Sequence, residues 1–193
     1  MNEQMVQISK VIDFATGNDI QGEGTHTARS TKMVKRVMLS KFNNSSRGGA
    51  KVRYIVIHDT GNPRPGADAL AHARYFGGGD RKASAHYFVD DHAVVQVVAD
   101  DRASWHCGDG RGRYGITNEN SIGVEMCINR DGDYDLAFVN TAILVAKLME
   151  KHKIPIKRVV RHYDASGKIC PKTMSEHDWE EWKEFKSLVE MYN

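Results

Sequence analysis

No stretch of the chain approaches the about 18 consecutive apolar residues that a membrane-crossing helix requires. The first 30 residues carry acids and polar groups and lack the apolar h-region of a secretory signal. The expectation is a chain made in the cytoplasm that reaches an outside target only when something else releases it. Cysteine is scarce: Cys107, Cys127 and Cys170 cannot all pair with one another, and in a reducing compartment they are thiols or metal ligands. Internal repeats, low-complexity segments and signs of a second domain are absent. Aromatic residues are missing where a nucleic-acid binder would need them. From Arg29 to Arg53 there are eight basic residues, no acid and only Phe42 as a ring, so base stacking is not supported. That run reads as a solvated surface or as an attractor of an anionic polymer.

What is present is ordinary for a soluble globular protein, with 40% apolar and 27% charged residues over 193 positions. That length supports one domain with a real core and leaves some residues over. Residues 1–38 read as a basic N-terminal arm or small subdomain, and 39–193 as the main domain. Within the arm, Met5 to Phe14 is a short helix or strand, broken at Gly17 and Gly22-Glu-Gly24, and Lys32 to Leu39 is a basic amphipathic turn or two. Asn43 to Gly49 reads as a loop.

Tyr54-Ile-Val-Ile-His58 has the continuous β-branched pattern of a strand covered on both faces. Ala67 to Phe76 reads as a helix. Ala85 to Asp90 and Ala93 to Val98 form a hairpin around Asp90-Asp91-His92. The glycine-rich stretch from Asp109 to Gly115 has no strand directly before it and no helix after it, so it is read as a flexible loop at a cleft rim, not a phosphate cradle. Ser121 to Ile128 is a second buried-type strand, with Ile122, Val124, Met126 and Ile128 on one face and Gly123, Glu125 and Cys127 on the other. Leu136 to His152 is a long apolar helix that must pack across a sheet. Ser175 to Tyr192 is the last helix, with Ser175 and Asp178 as a capping box and Trp179, Trp182, Phe185 and Val189 as its core face. The implied fold is α/β: one central mixed sheet of about five or six strands flanked by helices.

The chemistry gathers on the segment from Val159 to Pro171. It starts as a strand, passes through the Ser166-Gly167 turn and ends on Cys170-Pro171. His162 and Cys170 alone are a weak pair. His58, at the carboxyl end of a buried strand, is a core histidine or a third ligand. Together the three would supply two neutral nitrogens and one thiolate, leaving a position open for water on a Zn²⁺ ion. Such an ion lowers the pKa of its water and polarises a carbonyl. Glu125 is costly inside a strand unless it meets a metal, a partner or a cleft. It is placed to take the water's proton and hand it to a leaving amine. Lys168 is placed to stabilise an oxyanion.

The segments Tyr54 to His58, Ala85-His86-Tyr87-Phe88, Trp105-His106-Cys107-Gly108, Asn120 to Glu125, and His162 through Lys168-Ile169-Cys170-Pro171 occur in that order. They resemble the zinc-dependent N-acetylmuramoyl-L-alanine amidases of the amidase-2 type. That family includes many phage endolysins and bacterial autolysins and shares its fold with peptidoglycan recognition proteins. The resemblance runs from about Leu39 to the C-terminus. It implies hydrolysis of the amide between N-acetylmuramic acid and L-alanine, zinc at His58, His162 and Cys170, and Glu125 and Lys168 as catalytic groups. Substrate contacts are expected at His86, Trp105 and His106. The implied partner is bacterial cell-wall peptidoglycan, with no nucleic acid, membrane or obligatory protein partner expected, and the site of action is the wall after release.

Two departures from the family stand out. Some phage members carry a tyrosine before the histidine matching His86; here it is Ala85, so the acid role rests on Glu125. Many endolysins append a wall-binding domain, and none follows the last helix here. A phage endolysin is the reading adopted, with a bacterial autolysin or a muropeptide-recycling amidase as the alternative. Competing classes are a non-catalytic peptidoglycan-binding module, a cysteine peptidase using Cys170 or Cys107, and a structural zinc site.

Overall fold

A computed structural model describes residues 6–11, as a backbone path, and residues 33–193. The Gly17 and Gly22-Glu-Gly24 breaks expected in the arm lie outside the described residues. Among the described residues, nine strands occur in chain order: β1 Val6–Val11, β2 Val34–Leu39, β3 Asn44–Ser46, β4 Tyr54–Asp59, β5 Tyr87–Val89, β6 Ala93–Gln96, β7 Arg102–Ser104, β8 Ser121–Met126 and β9 Val159–Arg161. The helices are α1 Ala69–Gly77, α2 Tyr134–His152, α3 His162–Ser166 and α4 Glu176–Tyr192. The main sheet has the order β1-β2-β6-β5-β8-β4-β9, and β3 pairs with β7 in a separate ribbon. Strands β5, β8, β4 and β9 run parallel, while β6 runs antiparallel to β5. From residue 33 onward the sheet is the expected six strands, and β1 from the arm adds a seventh.

Alternation along the central strands explains the layering. Ile55, Ile57, Ile122, Val124 and Met126 project to one side and meet Phe138, Val145 and Met149 of α2 and Trp182, Phe185 and Val189 of α4. Phe138 and Phe185 are fully buried in edge-to-face contact at 5.3 Å. Burying such a ring contributes roughly 2–3 kcal/mol. On the other side, Phe88, Val95 and Cys127 pack against Ala69 and Ala73 of α1, and Val56 packs against Cys107, Ile116 and Ala165. His58 and Glu125 point to this second side, where loops rather than a long helix cover the sheet.

Three local expectations are corrected. Of the stretch from Lys32 to Leu39, the described part is not a turn: Met33 leads into β2, which pairs with β1 on one side and β6 on the other, and Met33 and Met38 are core residues. The expected boundary after residue 38 therefore falls inside a paired strand. Within Asn43 to Gly49, residues Asn44–Ser46 form β3 against β7. The capping box at Ser175 does not form: its hydroxyl donates to the Lys172 carbonyl, and His177, Asp178 and Trp179 adopt left-handed conformations with φ of 48°, 54° and 62°. The first turn of α4 thus presents no helical N–H to the serine.

Candidate metal and catalytic site

Neighbouring parallel strands bring the candidate residues to one level of the sheet. Glu125 lies directly across from His58 in the β4–β8 register. Ile57 is paired with Arg161 in the β4–β9 register, so His162, the next residue on, follows at the height of His58. Helix α3 then ends at Gly167, whose φ of 87° reverses the chain in a conformation that strains any side-chain-bearing residue. The reversal returns Cys170, whose sulfur sits 3.7 Å from His58 Nδ1. His58, His162 and Cys170 are all buried, and their potential ligand atoms lie within 4.8 Å of one another. This is the crevice at the carboxyl ends of parallel strands where α/β sheets place ligands.

The hydrogen bonds around the trio show which atoms are free. His162 Nε2 lies 2.8 Å from Asp109 Oδ1. An ionised carboxylate only accepts, so Nε2 carries the proton and Nδ1 is a bare lone pair. That Nδ1 is buried with no hydrogen-bond partner among the described residues. A buried acceptor without a partner costs about 1–3 kcal/mol, and a cation would satisfy it. A ring held by a carboxylate at one nitrogen and offering the other is the usual arrangement behind a metal ion. The donor set therefore fits a divalent cation such as zinc.

Protonation follows the same logic. Burial lowers His58 well below the ordinary histidine range, helped by the neighbouring rings of His106 and His162 and by Lys168. Burial pushes the Cys170 thiol up to about 12, reinforced by Glu125. A neutral imidazole beside a protonated thiol is the reverse of the thiolate–imidazolium pair that a cysteine peptidase needs. Cys107 is likewise pushed up to about 12, mainly by burial. Neither thiol is activated by its protein surroundings, and Cys170 becomes a thiolate only with a cation beside it.

Glu125 is half-buried, and its Oε2 is enclosed without a hydrogen-bond partner among the described residues. Burial raises its pKa to about 8, the charge of Asp59 adds to the shift, and Lys168 opposes it. A carboxyl poised near neutrality can take up and return a proton during one cycle. Burial lowers the His162 pKa, and the bond to Asp109 partly offsets this.

A cleft of about 540 Å³ opens beside this cluster, lined by Lys82, Trp105, His106, Asp109, His162 and Lys168 among others. Trp105 and His106 thus line the cleft, and Lys168 is exposed at the rim. His86 does not reach the cleft. It is fully buried, its Nδ1 accepts from the Gly123 N–H, and its Nε2 donates to the Arg102 carbonyl.

Sequence reasoning missed two residues. Asp109 was read only as part of a rim loop, although a carboxylate directly after Trp105-His106-Cys107-Gly108 was a usable signal. Arg47 was counted in a basic surface run, yet it is buried and donates to the carbonyls of Asp100, Glu119 and Ser121. Nothing local in the sequence reveals those partners.

Residues 48–173 match the N-acetylmuramoyl-L-alanine amidase family, so the chain belongs to that amidase-2 family. It is 38% identical over 153 residues to the N-acetylmuramoyl-L-alanine amidase CwlH of Bacillus subtilis, covering 79% of this chain and 59% of that protein. It is 42% identical over 136 residues to the amidase XlyA of the same organism, covering 70% of this chain and 43% of that one. The chain therefore spans little more than half, or less, of these relatives' lengths. The solved catalytic domain of XlyA superposes with a TM-score of 0.70 at 37% identity, over 79% of this chain and 98% of that domain. A mutant endolysin from Bacillus subtilis superposes with a TM-score of 0.65 at 37% identity, over 79% and 99% of the two chains.

Proposed function

We propose that this chain is a zinc-dependent peptidoglycan hydrolase that cleaves the amide between the lactyl group of N-acetylmuramic acid and L-alanine of the stem peptide. The observation that carries the reading is the convergence of the unpartnered His162 Nδ1 with His58 and Cys170 at the edge of a cleft. Family membership narrows the amide to the muramoyl–alanine bond. His58, His162 and Cys170 would hold the ion; bound there, zinc supplies the Lewis acidity that activates water and polarises a carbonyl.

The protein's own residues perform the remaining tasks. Glu125 takes the proton of the attacking water and returns it to the leaving alanine amine. Lys168 brings a positive charge to the oxygen that becomes negative in the tetrahedral intermediate. Asp109 fixes the ring of His162. Trp105 forms the wall against which the substrate lies.

The catalytic unit is the proposed 39–193 domain together with β2, which belongs to the same sheet; the preceding arm would adjoin the wall surface. No helix among the described residues is long and apolar enough to cross a membrane. Action on the cell wall after release, in the manner of an endolysin, fits the likeness to an endolysin of known structure. The test is release of new alanine amino termini from purified walls. Activity should vanish with chelator and return with zinc. Release that chelator leaves unchanged would reject the reading.

A further inference from the structure

The ring of His106 reaches His58 from behind and is held in turn by Ser121. His58 Nε2 lies 3.0 Å from His106 Nδ1, and His106 Nε2 lies 3.0 Å from Ser121 Oγ. Ser121 Oγ donates to the Thr117 carbonyl at 2.5 Å. The direction of every bond follows from that last one. A carbonyl only accepts, so the single serine proton points at Thr117, and towards His106 the hydroxyl can only accept. His106 therefore carries its proton on Nε2 and, with one ring proton, presents a bare Nδ1. His58 must then donate from Nε2, which leaves its own Nδ1 as the lone pair, and Nδ1 is the atom beside Cys170 Sγ.

A second observation shows that the site is built to admit this ring. A Cβ placed on Gly123 would lie 2.6 Å from His106 Cγ and 2.8 Å from its Nδ1. Any side chain at position 123 would push His106 off His58. Gly123 sits on β8 two residues before Glu125, so a single strand carries both the proposed base and the space for the relay.

We infer that Thr117, Ser121 and His106 form a directed relay that locks the tautomer of His58, making His106 a positioning residue for metal capture and not a substrate-binding group. Both polar atoms of its ring are committed to this task, so only its carbon surface faces the cleft. The inference rests on the metal reading above and is testable apart from it. A neighbour that holds a metal-binding imidazole is worth about 10–100-fold in affinity.

The experiment compares zinc affinity, by competition with a chromophoric chelator, in the parent chain, His106→Leu and His106→Asn. Heteronuclear NMR of the metal-free parent reports the His58 tautomer directly. The leucine variant should bind zinc about 10–100-fold more weakly. The asparagine variant, whose Oδ1 can accept the His58 proton, should recover most of the loss. The parent spectrum should show His58 protonated at Nε2. If the parent binds zinc and the leucine variant binds it within a factor of about two, the relay is refuted while the metal reading stands. If the parent binds no zinc, the metal reading falls instead. A His58 protonated at Nδ1 in the parent overturns the inference without any variant, so a leucine variant that failed to fold would not protect it.

Discussion

Glu125→Gln should stabilise the metal-free protein increasingly as pH rises, while abolishing its hydrolytic activity. In the folded protein the Glu125 carboxyl has a pKa of about 8 against an ordinary value of 4.5. The folded state therefore keeps a proton that the unfolded chain releases between those two values. Stability associated with the neutral carboxyl is fully present below pH 4.5 and is lost as pH rises through about 8. At pH 7 the chain has climbed about 2.5 units past the unfolded pKa, which at about 1.4 kcal/mol per unit is roughly 3 kcal/mol. Glutamine resembles the neutral carboxyl in shape and does not titrate, so the variant avoids this loss. The assay is chemical denaturation of both metal-free proteins from pH 5 to 8.5, taking the change in their stability difference with pH. That difference cancels any packing cost of the substitution and the contributions of the neighbouring histidines. The variant should gain roughly 4 kcal/mol relative to the parent across this range. A constant difference, or one that shifts towards the parent at high pH, would refute the account of Glu125 as a carboxyl held against its ionisation. Such destabilisation is common where a fold holds a group for chemistry.

Asp100 should behave in the opposite sense. Burial alone would raise its pKa, but hydrogen bonds from Lys151, Tyr87 and His152 outweigh it and hold the carboxyl at about 2. Its stabilisation is present above the unfolded value of 3.8 and is lost as pH falls through about 2. Asp100→Asn should then cost roughly 2 kcal/mol at neutral pH, with the gap closing in denaturation curves taken below pH 4. Arg47→Met should cost about 3 kcal/mol or more, because it strips the donors from three carbonyls at once. A melting temperature lowered by roughly 10 °C would agree, and an unchanged one would not. Lys168→Ala should bind zinc like the parent and lose about 100-fold in kcat; an unchanged kcat would remove it from the mechanism.

The parts of this protein that the sequence revealed are those whose signals are local. Tyr54 to His58 and Ser121 to Ile128 are dominated by β-branched and other apolar residues, and an α/β sheet buried on both faces produces such stretches. The alternation of the second places Glu125 on the face of Gly123 and Cys127. A histidine at the end of one strand, another at the end of β9 and a cysteine past a glycine turn were enough to suggest the ligand trio. What stayed hidden depends on partners far along the chain. Strand β2 carries Lys35 and Arg36 and no clean alternation, and it is a strand because β1 and β6 bond to its two edges. His86 resembled a cleft residue because its partners, Arg102, Ser104 and Gly123, come from other strands. Arg47 resembled surface charge because the carbonyls it bridges lie more than 50 positions away. Ser175 carried a capping signal that the left-handed turn after it overrides.

The central claim is that His58, His162 and Cys170 together hold the metal on which hydrolysis depends. The most direct measurement is zinc content and affinity of the purified chain beside Cys170→Ala, with release of alanine amino termini followed on the same samples. The account predicts stoichiometric zinc and chelator-sensitive release in the parent, and loss of both in a variant that remains folded. A variant that bound zinc as tightly as the parent, or a parent that released alanine termini without metal, would contradict it.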